Sequence, residues 1–151
     1  MKVYFDTGLL LKLYLTEQNS PDAIALIQSH GSPICFCGLQ QTELRNAIYR
    51  KCGRGEITQR QLARTLKDIQ ADMDGGVLEI PDVEWREVWR KADQITAKYA
   101  LATQCRTLDV LHVAVAMQLD IKTFGTTDAR QIMVARKVGL KVISLTSERR
   151  G

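Results

Sequence analysis

The sequence predicts an α/β fold in which five parallel strands form a sheet with helices on both faces. Three observations carry this expectation. Short apolar, β-leaning runs alternate with helical patterns along the whole chain, the order that a parallel sheet with right-handed crossovers requires. The segment Val110 to Met117 is apolar nearly all round, interrupted only by His112, so its helix must be buried against the sheet. No internal repeat or low-complexity stretch breaks the alternation, and Gly and Pro are too sparse for a long linker.

The first strand, Lys2-Val3-Tyr4-Phe5-Asp6-Thr7, is an apolar run that ends abruptly in a carboxylate. Asp6 therefore falls in the crevice outside the strand tips, where open α/β sheets bind ligands. Leu9, Leu10, Leu13 and Tyr14 recur at helical spacing, and Ser20-Pro21-Asp22 reads as an N-cap, an early proline and a first-turn acid opening a second helix that Gly31 closes. Pro33 to Cys37 is a short buried strand. It leads into a helix from Leu39 to Cys52, with Leu44, Ala47 and Ile48 inward and Glu43 on the margin of the stripe, ended by Gly53-Arg54-Gly55.

Thr58 caps the next helix, whose inner stripe is Leu62, Leu66, Ile69 and Met73, while Arg60, Arg64 and Lys67 share another face that reads as solvated. Gly75-Gly76 breaks the pattern and Val77 to Ile80 is the third strand. Pro81-Asp82 opens the longest helix, with Asp82 as its cap and Trp85, Val88, Trp89, Ala92, Ile95 and Tyr99 as an inner stripe that places both tryptophans in the core. Thr107-Leu108-Asp109 opens the buried helix. Ile121 to Phe124 is the fourth strand, Thr126-Thr127-Asp128 its exit, Ala129 to Val138 a helix stopped by Gly139, and Val142 to Leu145 the fifth strand. Residues 1–146 thus form one domain, followed by a polar tail over 147–151.

Composition narrows the function classes. At 151 residues with 45% hydrophobic and 25% charged residues, the chain can bury a core of its own and is neither disordered nor fibrous. Cys35, Cys37, Cys52 and Cys105 include no CxxC pair, which speaks against a zinc site or a redox dithiol and for a reducing cytoplasm. Cys35 and Cys37 share one strand face as small buried hydrophobes. No run reaches transmembrane length, and the start lacks the pattern of a signal peptide. The net charge of +4 favours polyanionic partners.

Four acids fall on one edge of such a sheet: Asp6 after the first strand, Glu43 in the early turns of the helix after the second, Asp109 at the start of the buried helix, and Asp128 after the fourth strand. Acids at helix starts commonly serve as caps, and Asp128 has that possibility too. Asp6 and Asp109, however, are embedded in apolar runs where a charge is costly without a cation. A set of oxygen ligands of high negative charge suits Mg²⁺ or Mn²⁺, ions that ready a water for attack on a phosphodiester. Thr7 and Thr126, next to the acids, are candidate supporting hydroxyls. His112, one turn from Asp109, reads as a packed structural histidine.

Phe5-Asp6-Thr7 followed by a leucine-rich turn, Thr42-Glu43-Leu44-Arg45-Asn46-Ala47, Thr107-Leu108-Asp109-Val110-Leu111-His112-Val113-Ala114, and Thr126-Thr127-Asp128 before Gly139-Leu140-Lys141-Val142 resemble the motifs of PIN-domain nucleases, in particular the VapC-type toxins of toxin–antitoxin pairs. The resemblance implies a three-layer sandwich around a parallel five-stranded sheet, and a metal-dependent endoribonuclease. It maps Asp6, Glu43, Asp109 and Asp128 onto the acidic cluster that binds Mg²⁺ or Mn²⁺, with Thr126 and Thr7 in support. It further implies an RNA substrate, a homodimer and a cognate antitoxin. Gly8 departs from the small polar residue frequent there and would loosen a loop beside Asp6, and Val110 stands in place of alanine.

Other readings fit less well. A haloacid-dehalogenase-like phosphatase wants a second aspartate where Gly8 stands, and a receiver domain wants an acidic pair where this chain has Asp6 alone. A catalytically silent binding module, whose acids hold a protein or RNA partner, is the alternative from a different class.

Overall fold

A computed structural model of the chain describes residues 2–31 and 33–145; the expected tail over 147–151 lies outside them. All five expected strands are present: β1 (Val3–Phe5), β2 (Ile34–Cys35), β3 (Leu78–Glu79), β4 (Thr123–Gly125) and β5 (Lys141–Ile143). Each pairing is parallel. Hydrogen bonds join β1, β4 and β5 in one ladder, with β4 central, and β2 to β3 in another. Between the two ladders β1 packs beside β2, and the Gln40 side chain donates to the Phe5 carbonyl at 2.7 Å, satisfying a backbone acceptor that the ladder leaves free.

Seven helices complete the fold among the described residues: α1 (Thr7–Tyr14), α2 (Ser20–Ser29), α3 (Gly38–Gly53), α4 (Gln59–Asp74), α5 (Trp85–Thr103), α6 (Thr107–Gln118) and α7 (Ala129–Lys137). Strand alternation sends Tyr4 to one face of the sheet and Val3 and Phe5 to the other. Tyr4 joins a core built with Val88, Val113 and Val134 from α5, α6 and α7. Phe5 joins a second core with Leu9, Ile27, Leu44 and Ile69 from α1 to α4. The sheet is thus the middle layer of three. Gly125 lets β4 pass close to β1, since a Cβ there would lie 2.5 Å from the Phe5 ring.

Several local expectations change. Asn19, in a left-handed conformation at φ 63°, takes the α2 cap position, and Ser20 is instead the first helical residue, its hydroxyl accepting from the Glu17 amide at 2.8 Å. Glu84, not Asp82, caps α5: its carboxylate accepts from the Arg86 amide, while its own amide donates to Gln118 at 3.2 Å. Gly8 lies within α1 rather than in a loop, so the helix defines its conformation. In α4, Ile69 is buried with Thr65, while Leu62, Leu66 and Met73 are only half-buried.

The tryptophans are the largest correction. Val88, Ala92 and Ile95 form the buried stripe of α5, but Trp85 is 37% and Trp89 53% exposed, their rings 6.5 Å apart. α5 packs mainly on α6 and α7, so its buried face is narrower than the apolar stripe in the sequence. By contrast α6 is buried from Asp109 to Ala116, as its all-round apolarity requires.

Candidate active site

The site lies at the carboxyl ends of β1 and β4. β1 stops at Phe5, and Asp6 accepts the Leu9 amide at 2.8 Å, capping α1. β4 stops at Gly125, and Thr126 donates to the second Asp6 oxygen at 2.6 Å. Asp128 caps α7 by accepting the Arg130 and Gln131 amides, and its own amide donates to the Thr126 hydroxyl oxygen at 3.0 Å. Asp109 starts α6, with one oxygen accepting the Arg106 amide at 2.8 Å and the other accepting Gln131 Nε2 at 3.1 Å.

Gln131 closes a circuit. Its Oε1 lies 2.9 Å from the Thr126 hydroxyl and its Nε2 donates to Asp109, so Asp6, Thr126, Gln131 and Asp109 are in polar contact in series. The single Thr126 proton has two acceptors, Asp6 and Gln131, which compete for it. Gln131 was not among the residues singled out from sequence. The signal for it was faint, a polar residue three places after a cap, on the inward side of the first turn of α7.

Glu43 reaches the site from α3 on the opposite layer. It accepts from the Thr7 hydroxyl at 3.1 Å and from His112 Nε2. The other His112 nitrogen, Nδ1, lies 2.8 Å from the Tyr4 hydroxyl. His112 is thus buried with both ring nitrogens in polar contact, and the Tyr4 hydroxyl, which the apolar pattern of β1 concealed, is one of its two partners.

The charges respond to these surroundings. Burial pushes the Asp6 carboxyl above the ordinary aspartate value; the Thr126 and Leu9 hydrogen bonds and the His112 charge pull against this, and the Asp128 charge adds to it. Burial acts on Glu43 in the same sense, but the hydrogen bonds from His112 and the Thr7 hydroxyl outweigh it, holding Glu43 below the usual carboxylate range.

Among the described residues, no three His, Cys, Asp or Glu side chains stand close enough to form a ready ligand group. Asp6 and Asp109 are buried, Asp128, joined to Thr126 through its amide, is exposed, and half-buried Glu43 pairs with His112. The chemistry of the donors nonetheless suits a hard divalent cation. Asp6 and Asp109 are 4% and 7% exposed, and their oxygens, each holding one protein hydrogen bond, keep a further lone pair for a ligand.

This fold and this arrangement of acids define a class. A family model described as PIN domain matches residues 3–137, and the chain belongs to the PIN domain family. No curated protein matches the chain. Solved structures with a similar fold include FitAcB from Neisseria gonorrhoeae, 18% identical with a TM-score of 0.65, the match covering 93% of this chain and 96% of that one. VapBC2 from Rickettsia felis, bound to a DNA fragment from its promoter, is 12% identical with a TM-score of 0.67, over 97% of this chain and 100% of that one. PAE2754 from Pyrobaculum aerophilum is 14% identical with a TM-score of 0.62, over 96% and 90%. At these identities the likeness is one of fold.

Proposed function

We propose that the protein is a metal-dependent endoribonuclease, the toxin of a toxin–antitoxin pair. The observation that carries this reading is the buried circuit from Asp6 through Thr126 and Gln131 to Asp109 at the strand tips of a PIN domain. Asp6 and Asp109, with Glu43 and Asp128 at the margin, would hold Mg²⁺ or Mn²⁺. The bound ion would supply charge neutralisation at the phosphodiester and an activated water. The chain's own residues do the rest: Thr126 aims Asp6, Gln131 aims Asp109, and Thr7 and His112 hold Glu43 toward the crevice.

The net charge of +4 suits an RNA substrate. No helix among the described residues is long and apolar enough to cross a membrane, and the four cysteines are free, as suits the reducing cytoplasm. A homodimer and a cognate antitoxin belong to the same reading, supported by the resemblance of the sequence motifs to VapC-type toxins and by the fold likeness to VapBC2.

The test is cleavage of labelled RNA by purified protein with Mg²⁺ or Mn²⁺, with and without chelator. Metal-dependent cleavage that chelator abolishes is expected. Chelator-insensitive cleavage, or none with any RNA, overturns the reading. Light scattering at working concentration is expected to return a dimer, and a strict monomer contradicts that part.

A further inference from the structure

We propose that Tyr4 and His112 are positioning residues, a buried relay whose task is to hold Glu43 in the metal site, with His112 kept as its Nε2–H tautomer. The inference rests on the reading of Glu43 as part of that site.

The relay crosses the sheet edge. Tyr4 is fully buried on β1, its ring stacked on Phe124 of β4 with centroids 5.4 Å apart, so the hydroxyl has one fixed direction. That hydroxyl meets His112 Nδ1 at 2.8 Å, with the Cys37 sulfur, at 3.7 Å, as its only other partner among the described residues. His112 is 1% exposed on α6, and its Nε2 meets Glu43 Oε1.

A neutral imidazole carries one donor and one acceptor. Glu43 Oε1, which accepts from the Thr7 hydroxyl and meets His112 Nε2, requires the proton at Nε2. Nδ1 must then accept, and Tyr4 must donate. Burial keeps the Tyr4 phenol protonated far above its ordinary range, so the donor is always present. Every group has one role, and the chain of donors runs outward from the core to the acid.

Glu43 has reason to need such a hold. Its long side chain is half-buried, 27% exposed, and comes from the layer opposite α6. Asp109 and His112 lie three residues apart on α6 and share a face, so one rigid helix both supplies an acid and orients another. A buried Tyr–His pair with only a packing role would be replaceable by apolar residues of the same shape. The relay differs because it ends on a partly exposed carboxylate.

The experiment uses the full chain and Mn²⁺ as the probe. Binding is measured calorimetrically for the wild type, Tyr4→Phe, His112→Leu, His112→Gln, Glu43→Gln and the two combinations of Glu43→Gln with Tyr4→Phe and with His112→Leu, with melting curves for each. Tyr4→Phe keeps the ring packing and His112→Leu the volume, and each is expected to weaken Mn²⁺ binding by about 10-fold, the lower range for loss of an outer-shell partner. His112→Gln, which restores an N–H near the Nε2 position, is expected to recover most of the loss. In the Glu43→Gln background neither change should weaken binding further. Nitrogen NMR of metal-free wild type at pH 8 should show the Nε2–H tautomer at His112.

Mn²⁺ binding by Tyr4→Phe and His112→Leu equal to wild type overturns the relay and leaves the metal site standing. A full additional loss in the Glu43→Gln background, or an Nδ1–H tautomer, also overturns it. Failure of the wild type to bind Mn²⁺ overturns the reading of the site itself, and the positioning role with it.

Discussion

The two sides of the crevice hold their carboxylates by opposite means. On the Asp6 side the acid is nearly sealed from water and bonded to a backbone amide and the Thr126 hydroxyl, yet burial dominates and its carboxyl is pushed up. On the Glu43 side the acid is only half-buried, and His112 and Thr7 draw it below the usual range. A buried acid left with a raised pKa is held at a cost that a cation would relieve, whereas one already matched by a histidine has been satisfied from within. In the proposed reading the Asp6 side is where a cation would bring the larger relief, and Glu43 is the acid whose place at the site the protein itself sets.

The substitutions that test this contrast differ most at Asp6. Asparagine keeps the capping oxygen for Leu9 and turns an NH2 toward Thr126, whose hydroxyl can accept from it and donate to Gln131 Oε1 instead, while the charge is removed. Asp6→Asn is expected to lower metal-dependent RNA cleavage by more than about 100-fold, beyond the range of outer-shell changes, with a melting temperature equal to or above wild type. A melting temperature many degrees lower would make Asp6 a structural cap.

Glu43→Gln is expected to act in the other direction on stability. Cleavage falls by about 10-fold, and the fold loses about 1 kcal/mol or less at pH 7, because a carboxylate stabilised in the fold is exchanged for a neutral amide at a partly exposed site. Denaturant midpoints of the two variants moving the same way would erase the distinction between the two sides.

The pH dependence follows with opposite signs. Glu43, lowered in the fold, stabilises above the unfolded carboxyl value of about 4.3, and this contribution disappears as pH falls through its lower folded value. Asp6, raised in the fold, makes the native state bind more protons than the unfolded chain between about 3.9 and its raised value, so wild-type stability falls as pH rises across that window. Asp6→Asn should therefore gain on wild type as pH rises through the window and hold a constant advantage above it, measured as denaturant midpoints at successive pH values.

The smallest effect is expected at Gly8. A Cβ there would sit 3.6 Å from both Asp6 oxygens, an ordinary contact, and Gly8 is helical. Gly8→Ala should raise stability by about 0.5 kcal/mol and change cleavage less than twofold. A large loss of cleavage would mean that the space beside Asp6 is itself used.

What could be read in the sequence follows from which forces are local. Asp6 was legible because an acid ending an apolar strand has few destinations, and α6 because apolarity on every side admits only burial. Glu43, Asp109 and Asp128 followed from strand order, which brings the junctions of a parallel sheet to one edge. The Tyr4 to His112 contact spans 108 residues and depends on the register of β1 against α6, which no periodicity encodes. Gln131 was hidden for the same reason. Trp85 and Trp89 misled because an apolar stripe marks what can be buried, while how much is buried depends on what packs over it, here mainly α6 and α7. Asp82 is the better cap by residue type, but α5 starts at Trp85, so Glu84 takes the cap position, with its amide held by Gln118.

The central claim is that the acids at the strand tips form one divalent-metal site anchored on Asp6. Calorimetric titration of Mn²⁺ into wild type and Asp6→Asn, paired with melting curves, addresses it most directly. Saturable binding by the wild type that Asp6→Asn abolishes, with the fold intact or more stable, is the result this account predicts. Equal binding by both proteins would contradict it.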